Sequence, residues 1–592
     1  MAMPSEPPRS RPALGDLVGG WMRPHLAEAS FRPRGIMQPS YAYRRRPLAE
    51  RLALSAPSAI ATAAASAAAL GASASVGLPS RAARRSCRRS SGKVVCLAEP
   101  ASQPIFANIV SKQPNWRAAV AEICQECDYL ARSRSGRWHF GMAMVSGFDA
   151  PPLADIAQAF DERLGTQGVL MAAAVDGCAG NLTDGRRGCL ANGESGIALV
   201  AVHLPDAAAT EPEHTKANAF FISKKELMQI SALTLKFQGQ TRVRGAEEAP
   251  GLRAWRHYLG VESAQPKGML LFVDPLATKY VVQEVLAGLD MAYPQSLKFG
   301  GVCADLSPQS SRVAIASSPA GAPTEAGVAG ILIPSNVSLH TMVTPSAVRI
   351  GPELRVTKAD KQVVTEINGI TAVDALAEIL EQADPVERRL IERSGLLIGL
   401  EAPKQLDPQR NTVYDDMWGS SKRAPSYAHL AKTAGLSDWL VRSIEKLPDG
   451  GIVVRRDDLK QVPRKVGASW LRMQLHVHNG YRAREELRLM LQRYFAARLM
   501  LPQTSVPFGA MSVICSSWTP CSEMGSGSEV AYQELRDAMG QSGNADPDLP
   551  IAAATVCGEI APPGVTLGGL DSKRTARHGH TASCAVLTYE PW

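Results

Sequence analysis

Near the end of the chain, Cys557-Gly558-Glu559 sets a thiol, a flexible backbone point and a carboxylate side by side, and His578-Gly579-His580-Thr581 follows soon after. A thiol, a carboxylate and an imidazole that converge on a turn make a ligand site. With Cys557 as nucleophile, His578 as base and Glu559 as orienter they would instead make a thiol-dependent enzyme. That role requires a depressed thiol pKa and a base within hydrogen-bond reach. The plain alternative is a tight turn whose carboxylate bonds neighbouring amides. Two further turns share the pattern: Asp176-Gly177-Cys178-Ala179-Gly180, and Gly300-Gly301-Val302-Cys303-Ala304-Asp305. Cys515 closes another apolar run, Met511 to Cys515. Small residues at such points let a ligand or another backbone approach closely.

Weaker candidates reduce to structure. Cys124-Gln125-Glu126-Cys127 lies in an amphipathic stretch from Trp116 to Leu130 and has no second pair at zinc-finger spacing. Both thiols are expected on a buried face. His476 and His478 share one side of a strand with Arg472 and Gln474, which reads as a solvated polar face. The sequence carries no phosphate loop, no dinucleotide fingerprint, no His-Glu-x-x-His and no Gly-x-Ser-x-Gly.

Three segments share one plan that would position the turns. In the first, the strand Met142–Val145 is followed by a helix opened by Pro151-Pro152, with Leu153, Ile156, Ala157, Phe160 and Leu164 on one face and Gly165 closing it. Val169 to Val175 returns as a strand. In the second, Met269–Val273 leads to a helix carrying Val281, Val282, Val285, Leu286 and Leu289, then to Leu297–Phe299. In the third, Met511–Cys515, a helix with Val530, Leu535 and Met539, and Ile551–Val556 repeat the order. Strand, helix, strand is a crossover unit that puts two strands in one sheet. The fold class is therefore α/β, built from repeated β-α-β units with mixed sheets. Between the second and third units, Leu354–Thr357 and Val363–Ile367 read as a hairpin with Asn368-Gly369 at its end. A helix from Ala372 is boxed by Thr371 and Asp374. Loops are expected at 317–325, 406–424 and 541–550.

The 592 residues carry a net charge of +8, but that balance comes from one end. Residues 1–98 hold fourteen Arg and one Lys against four acids, leaving 49 basic and 52 acidic side chains in residues 99–592. The folded part is slightly acidic and gives no nucleic-acid footprint. An Arg-, Ala- and Ser-rich, acid-poor leader has the composition of an organelle transit peptide, and its close around Arg84–Ala98 is similar to plastid processing regions. The expected address is the chloroplast stroma, with the mitochondrion as the alternative. Residues 52–80 lack charge but are mostly Ala, Ser and Gly with two prolines, so no membrane span is expected. Eleven cysteines in so long a chain suit free thiols.

The C-terminal half resembles the FIST family of sensory proteins. The resemblance rests on Gly351-Pro352 with Leu354–Thr357, on Val364–Asp374, on Leu475–Val477 with Ala483–Leu487, on Cys557–Pro562 and on His578–Ala582. The N-terminal half, from Phe106 to Val343, is similar through its two crossover units. The implied organisation is a transit peptide at 1–98, a FIST N-like domain at 99–345 and a FIST C-like domain at 346–592. This chain departs from the family at Cys515-Ser516-Ser517-Trp518, where an arginine is usual, and at His580, which replaces an aromatic. The resemblance implies a non-enzymatic sensor that binds a small molecule, amino acids being the usual suggestion, and signals through an unidentified partner protein. The ligand is expected beyond the strand ends, at Asp176, Gly177, Gly300, Gly301, Asp305, Cys515, Cys557, Glu559 and His578. Relatives that bind haem imply an alternative with His578, His580 or a cysteine as axial ligand. Relatives with an F-box imply an adaptor.

Overall fold

In a computed structural model of the chain, the described residues run from 103 to 590. They leave out 133–137, 149–150, 183–185, 206–215, 237–249, 261–265, 279–281, 305–310, 318–325, 361–362, 402–438, 447–450, 454–470, 500–504, 517, 519–526, 542–548, 563–564, 567–574 and 580. The expected transit peptide lies outside them, as do most of the expected loops.

The chain first lays down β1 (Ile105–Ser111), α1 (Trp116–Arg132), β2 (Phe140–Ser146), α2 (Leu153–Leu164), β3 (Leu170–Ala174), β4 (Gly177–Leu182), β5 (Arg187–Leu190) and β6 (Gly196–His203). A second stretch holds β7 (Asn218–Ser223), α3 (Lys224–Lys236), α4 (Pro250–Leu259), β8 (Gly268–Val273), α5 (Pro275–Thr278), α6 (Val282–Ala292), β9 (Leu297–Val302), β10 (Val313–Ile315) and β11 (Gly327–Ile333). A third opens with β12 (Val337–Pro345) and is then interrupted by β13 (Ala347–Asp360), β14 (Val363–Ile367), β15 (Ile370–Thr371), α7 (Ala372–Gln382), α8 (Pro385–Ser394), β16 (Leu396–Glu401), β17 (Trp439–Ser443), β18 (Glu445–Lys446), β19 (Ile452–Val453) and β20 (Leu471–His478). It resumes with α9 (Gly480–Leu499), β21 (Val506–Cys515), α10 (Gly527–Gln541), β22 (Ile551–Val556), β23 (Glu559–Ala561), β24 (Val565–Thr566), β25 (Ala576–Arg577) and β26 (Thr581–Tyr589).

Each expected crossover is present as a parallel pair: β2 with β3, β8 with β9, and β21 with β22. Local chemistry sets their helix ends. Gly165 caps α2 in the left-handed region at φ 67°, its N–H reaching the Asp161 carbonyl. The same four-strand order then recurs three times. It reads β3-β2-β6-β1, β9-β8-β11-β7 and β22-β21-β26-β12, each with one parallel contact followed by two antiparallel ones.

Between the third and fourth strand of each module, a short arm leaves to pair antiparallel with the third strand of another. The first module's β4 joins β22, the second's β10 joins β3, and the third's β23 joins β9. The exchange closes a ring. The inner faces of all three modules share one core, with Met142, Val200, Leu270, Phe299, Val513 and Leu587 among its members. Helices cover the outer faces: α1 and α2 on the first module, α3, α4 and α6 on the second, α9 and α10 on the third.

The interrupting stretch builds its own eight-stranded sheet, covered on one face by α7 and α8. Asn368 and Gly369 take φ values of 53° and 85° in the two-residue turn joining β14 to β15. Thr371 caps α7 through the Asp374 N–H. His476, expected on a solvated face, is instead buried against Gly399, with Nδ1 2.9 Å from the Gln474 carbonyl. Burial holds its pKa down at about 4. Gln474 on the same face is buried too, its Nε2 donating to the Ile350 and Gly351 carbonyls at 3.1 and 2.8 Å. Among the described residues no helix is long and apolar enough to cross a membrane.

Candidate ligand site at the strand-exit turns

The three turns that follow β3, β9 and β22 are hydrogen-bonded to one another. Asp176 N–H donates to Thr555 O at 2.9 Å, Ala304 N–H to Ala174 O at 3.1 Å, Val302 N–H to Gly558 O at 2.8 Å and Cys557 N–H to Val302 O at 2.9 Å. These bonds are the inner edge of the arm exchange, so the repeated fold itself brings Asp176, Gly300, Gly301 and Cys557 together. Asp305 and His580 lie outside the described residues.

The turns differ in what they leave open. Glu559 is fully buried. Its Oε1 accepts the Cys515 N–H at 2.8 Å and its Oε2 the Thr581 hydroxyl at 2.7 Å. Burial pushes its pKa up to about 8. It therefore ties β21, β23 and β26 together. His578 is also buried, its N–H donating to Glu559 O and its Nε2–H directed at Ala561 O, 3.0 Å away. A haem axial bond through that nitrogen does not fit. Cys303 is sealed in the core, where burial drives its thiol well above the ordinary value.

The glycines are filled from within. A Cβ on Gly300, whose φ is 155°, would sit 1.7 Å from Leu271 O, and one on Gly301 would meet Val556 at 2.9 Å. One on Gly177 would meet Leu190 O at 2.7 Å. At these three positions a neighbouring strand occupies the space that a side chain would need.

What stays half-exposed is a ring around residues 555–557: Asp176, Ser516, Cys557 and Arg577. Ser516 N–H donates to Val556 O at 2.6 Å, and Arg577 Nη2 donates to Cys557 O at 3.2 Å. Arg577 also stands beside Gly558, with Nε 3.0 Å from the place a Cβ would take. It supplies a guanidinium near the turns, although no arginine follows Cys515 in sequence. Only the fold brings it there, so sequence spacing gave no sign of it.

Supports fix its segment from both sides. Arg442 on β17 donates from Nη2 to the Arg577 carbonyl at 2.8 Å. Asp290 accepts from Thr575 N–H and Oγ1–H at 2.7 Å each, and is itself held by the buried Lys298 ammonium at 2.9 Å. Desolvation lowers the Lys298 pKa, against the pull of Asp290. A second buried pair, Asp274 with Arg312, sits beside the Cys303 turn, Arg312 N–H donating to Asp274 Oδ2 at 3.0 Å.

Residues 139–370 match the FIST N domain. FIST domains are small-ligand sensory domains of signal transduction. The match takes in the turns at Asp176 and Gly300 and ends at the first residue of β15, ahead of Cys557. No curated protein matches the chain.

Proposed function

We propose that the protein is a non-enzymatic small-ligand sensor whose ligand is a free amino acid held at the ring around Cys557. The observation that carries this reading is the half-exposed pair of opposite charges on one stretch of backbone. Asp176 is anchored to Thr555 and Arg577 to Cys557. A zwitterion lays its carboxylate on the guanidinium and its ammonium on Asp176. Glu559, with both oxygens engaged, is a strut and not a ligand group. The likeness of residues 346–592 to a FIST C-like partner of the matched domain, and the leader's plastid character, complete the proposal: a stromal sensor that signals through a partner protein.

Isothermal titration of the full chain against the twenty common amino acids tests the site. At least one should saturate it, and Asp176→Asn and Arg577→Gln should each weaken binding roughly tenfold with melting unchanged. Silence from all twenty at millimolar concentration sinks the amino-acid reading. Import of the full chain into isolated chloroplasts, with loss of the leader, tests the address.

A further inference from the structure

The Arg577 guanidinium is only as well placed as the short segment that carries it, and that segment is held from several sides. Asp290 fixes Thr575 through its N–H and its hydroxyl, at 2.7 Å each. Ala576 and Arg577 pair antiparallel with Ala561 and Ile560 of β23. His578 N–H donates to Glu559 O at 2.7 Å. Asp290 stands on α6, and Glu559 and Ile560 on β23, so these holds belong to the three modules themselves. The Arg577 carbonyl is held differently. It accepts from Arg442 Nη2 at 2.8 Å, across 135 residues of sequence and from the interrupting sheet.

Arg442 is set in a firm frame of its own. Its strand, β17, pairs with β16 from Leu397–Ser443 to Glu401–Trp439, and β16 pairs in turn with β20. Val441 is fully buried beside Ala347 and Leu397. The Val441 carbonyl accepts the other terminal nitrogen of Arg442, Nη1, at 2.8 Å. Both ends of one guanidinium fork are thus engaged, one by its own sheet and one by Arg577. The fork is planar with fixed donor spacing, so it passes a shift of β17 on to the Arg577 backbone and does not absorb it. Arg577 has little slack to take up such a shift. Its Nη2 reaches Cys557 O at 3.2 Å, the long end of the range for an N–H···O bond.

We propose that the interrupting sheet sets the ligand affinity of the site around Cys557 through Arg442, a positioning residue that holds the Arg577 backbone where its guanidinium meets the ligand's carboxylate. The proposal rests on the reading of Arg577 as the carboxylate-binding group. It adds a route by which occupancy of the site is coupled to a part of the fold outside the three modules.

A double-mutant cycle tests it. Each of the twenty common amino acids is titrated singly into the full chain, into Arg442→Met, into Arg577→Gln and into the double variant. Amino acids that saturate the wild type should bind Arg442→Met roughly tenfold more weakly, and Arg442→Lys, which keeps an N–H donor, should recover part of that loss. In the Arg577→Gln background Arg442→Met should cost nothing further, because the group it positions is gone. Arg442→Gln, whose amide is too short to make the bridge, takes the place of the methionine variant if that does not fold. Wild-type affinity in Arg442→Met overturns the proposal. A roughly tenfold loss on top of that of Arg577→Gln overturns it too, since Arg442 would then be a structural support and nothing more. If the wild type binds none of the twenty, the amino-acid reading itself has failed, and this proposal falls with it.

Discussion

Asp176 and Glu559 stand in the turns that leave two copies of one crossover unit, yet they do opposite work. Asp176 is half-exposed, and its backbone is anchored to Thr555, Gly193 and Ser146. Glu559 is sealed, with a donor on each oxygen. The difference lies in the arms. The first module's arm is the hairpin β4–β5, and Asp176 ahead of it stays partly exposed. The third module's arm is the three-residue β23, which drives Glu559 between β21 and β26. A carboxylate in a strand-exit turn thus stays accessible or becomes a strut according to what its arm covers.

The largest effect should come from the backbone that makes the turns meet. Gly300→Ala places a Cβ against Leu271 O and demands a φ that alanine resists, and should cost roughly 4 kcal/mol. Denaturant unfolding of the two proteins measures it, and an unchanged midpoint would mean that the turns pack more loosely than the contacts imply. Next comes Glu559→Ala, which strips acceptors from Cys515 N–H and Thr581 and leaves a hole, at roughly 3 kcal/mol. If Glu559→Ala abolished ligand binding but left stability alone, the contrast with Asp176 would be wrong.

Acidity separates the two carboxylates further. The Glu559 pKa rises from an ordinary 4.5 to about 8 on folding. Below the ordinary value both folded and unfolded chains hold the proton, and the contribution is intact. As pH rises toward about 8 the unfolded chain ionises first, so stability falls across that window. Glu559→Gln is neutral throughout and should flatten this fall, melting above the wild type at pH 8 to 9. Parallel melting curves from pH 5 to 9 would place the charge on Glu559 at neutral pH.

Much of this was legible, and the exceptions have physical causes. Ile551–Val556 is a strand with the bounds its apolar run implies, and the other crossover strands and helices fall within a few residues of theirs. These runs carry a period or a boundary residue. The partner strands β1 and β6 are buried on both faces, so they show no alternation, and their neighbours lie far away in sequence. The arms β10 and β23 are three residues each, too short for any period. The glycines at 300 and 301 signalled a close approach, as expected of small residues after a buried strand. That a strand and not a ligand makes the approach is a tertiary fact. Arg577 and Arg442 were illegible for the same reason, since only tertiary packing brings β25 and, from the interrupting sheet, β17 to the turns.

The smallest stability effect belongs to Asp176→Asn, and it is the sharpest test of the comparison. Its backbone bonds, to Thr555 O, from Gly193 N–H at 2.9 Å and from Ser146 Oγ–H at 3.0 Å, do not involve the carboxylate. Asparagine keeps the shape and the turn preference, so the cost should be about 0.5 kcal/mol or less, as for surface changes away from a core. On the proposed reading the same substitution removes the charge that would face the ligand's ammonium, and binding should fall while melting stays put. An Asp176→Asn loss as large as that of Glu559→Ala, roughly 3 kcal/mol, would show that both carboxylates are struts. The site would then have to be sought at Arg577 and Cys557 alone.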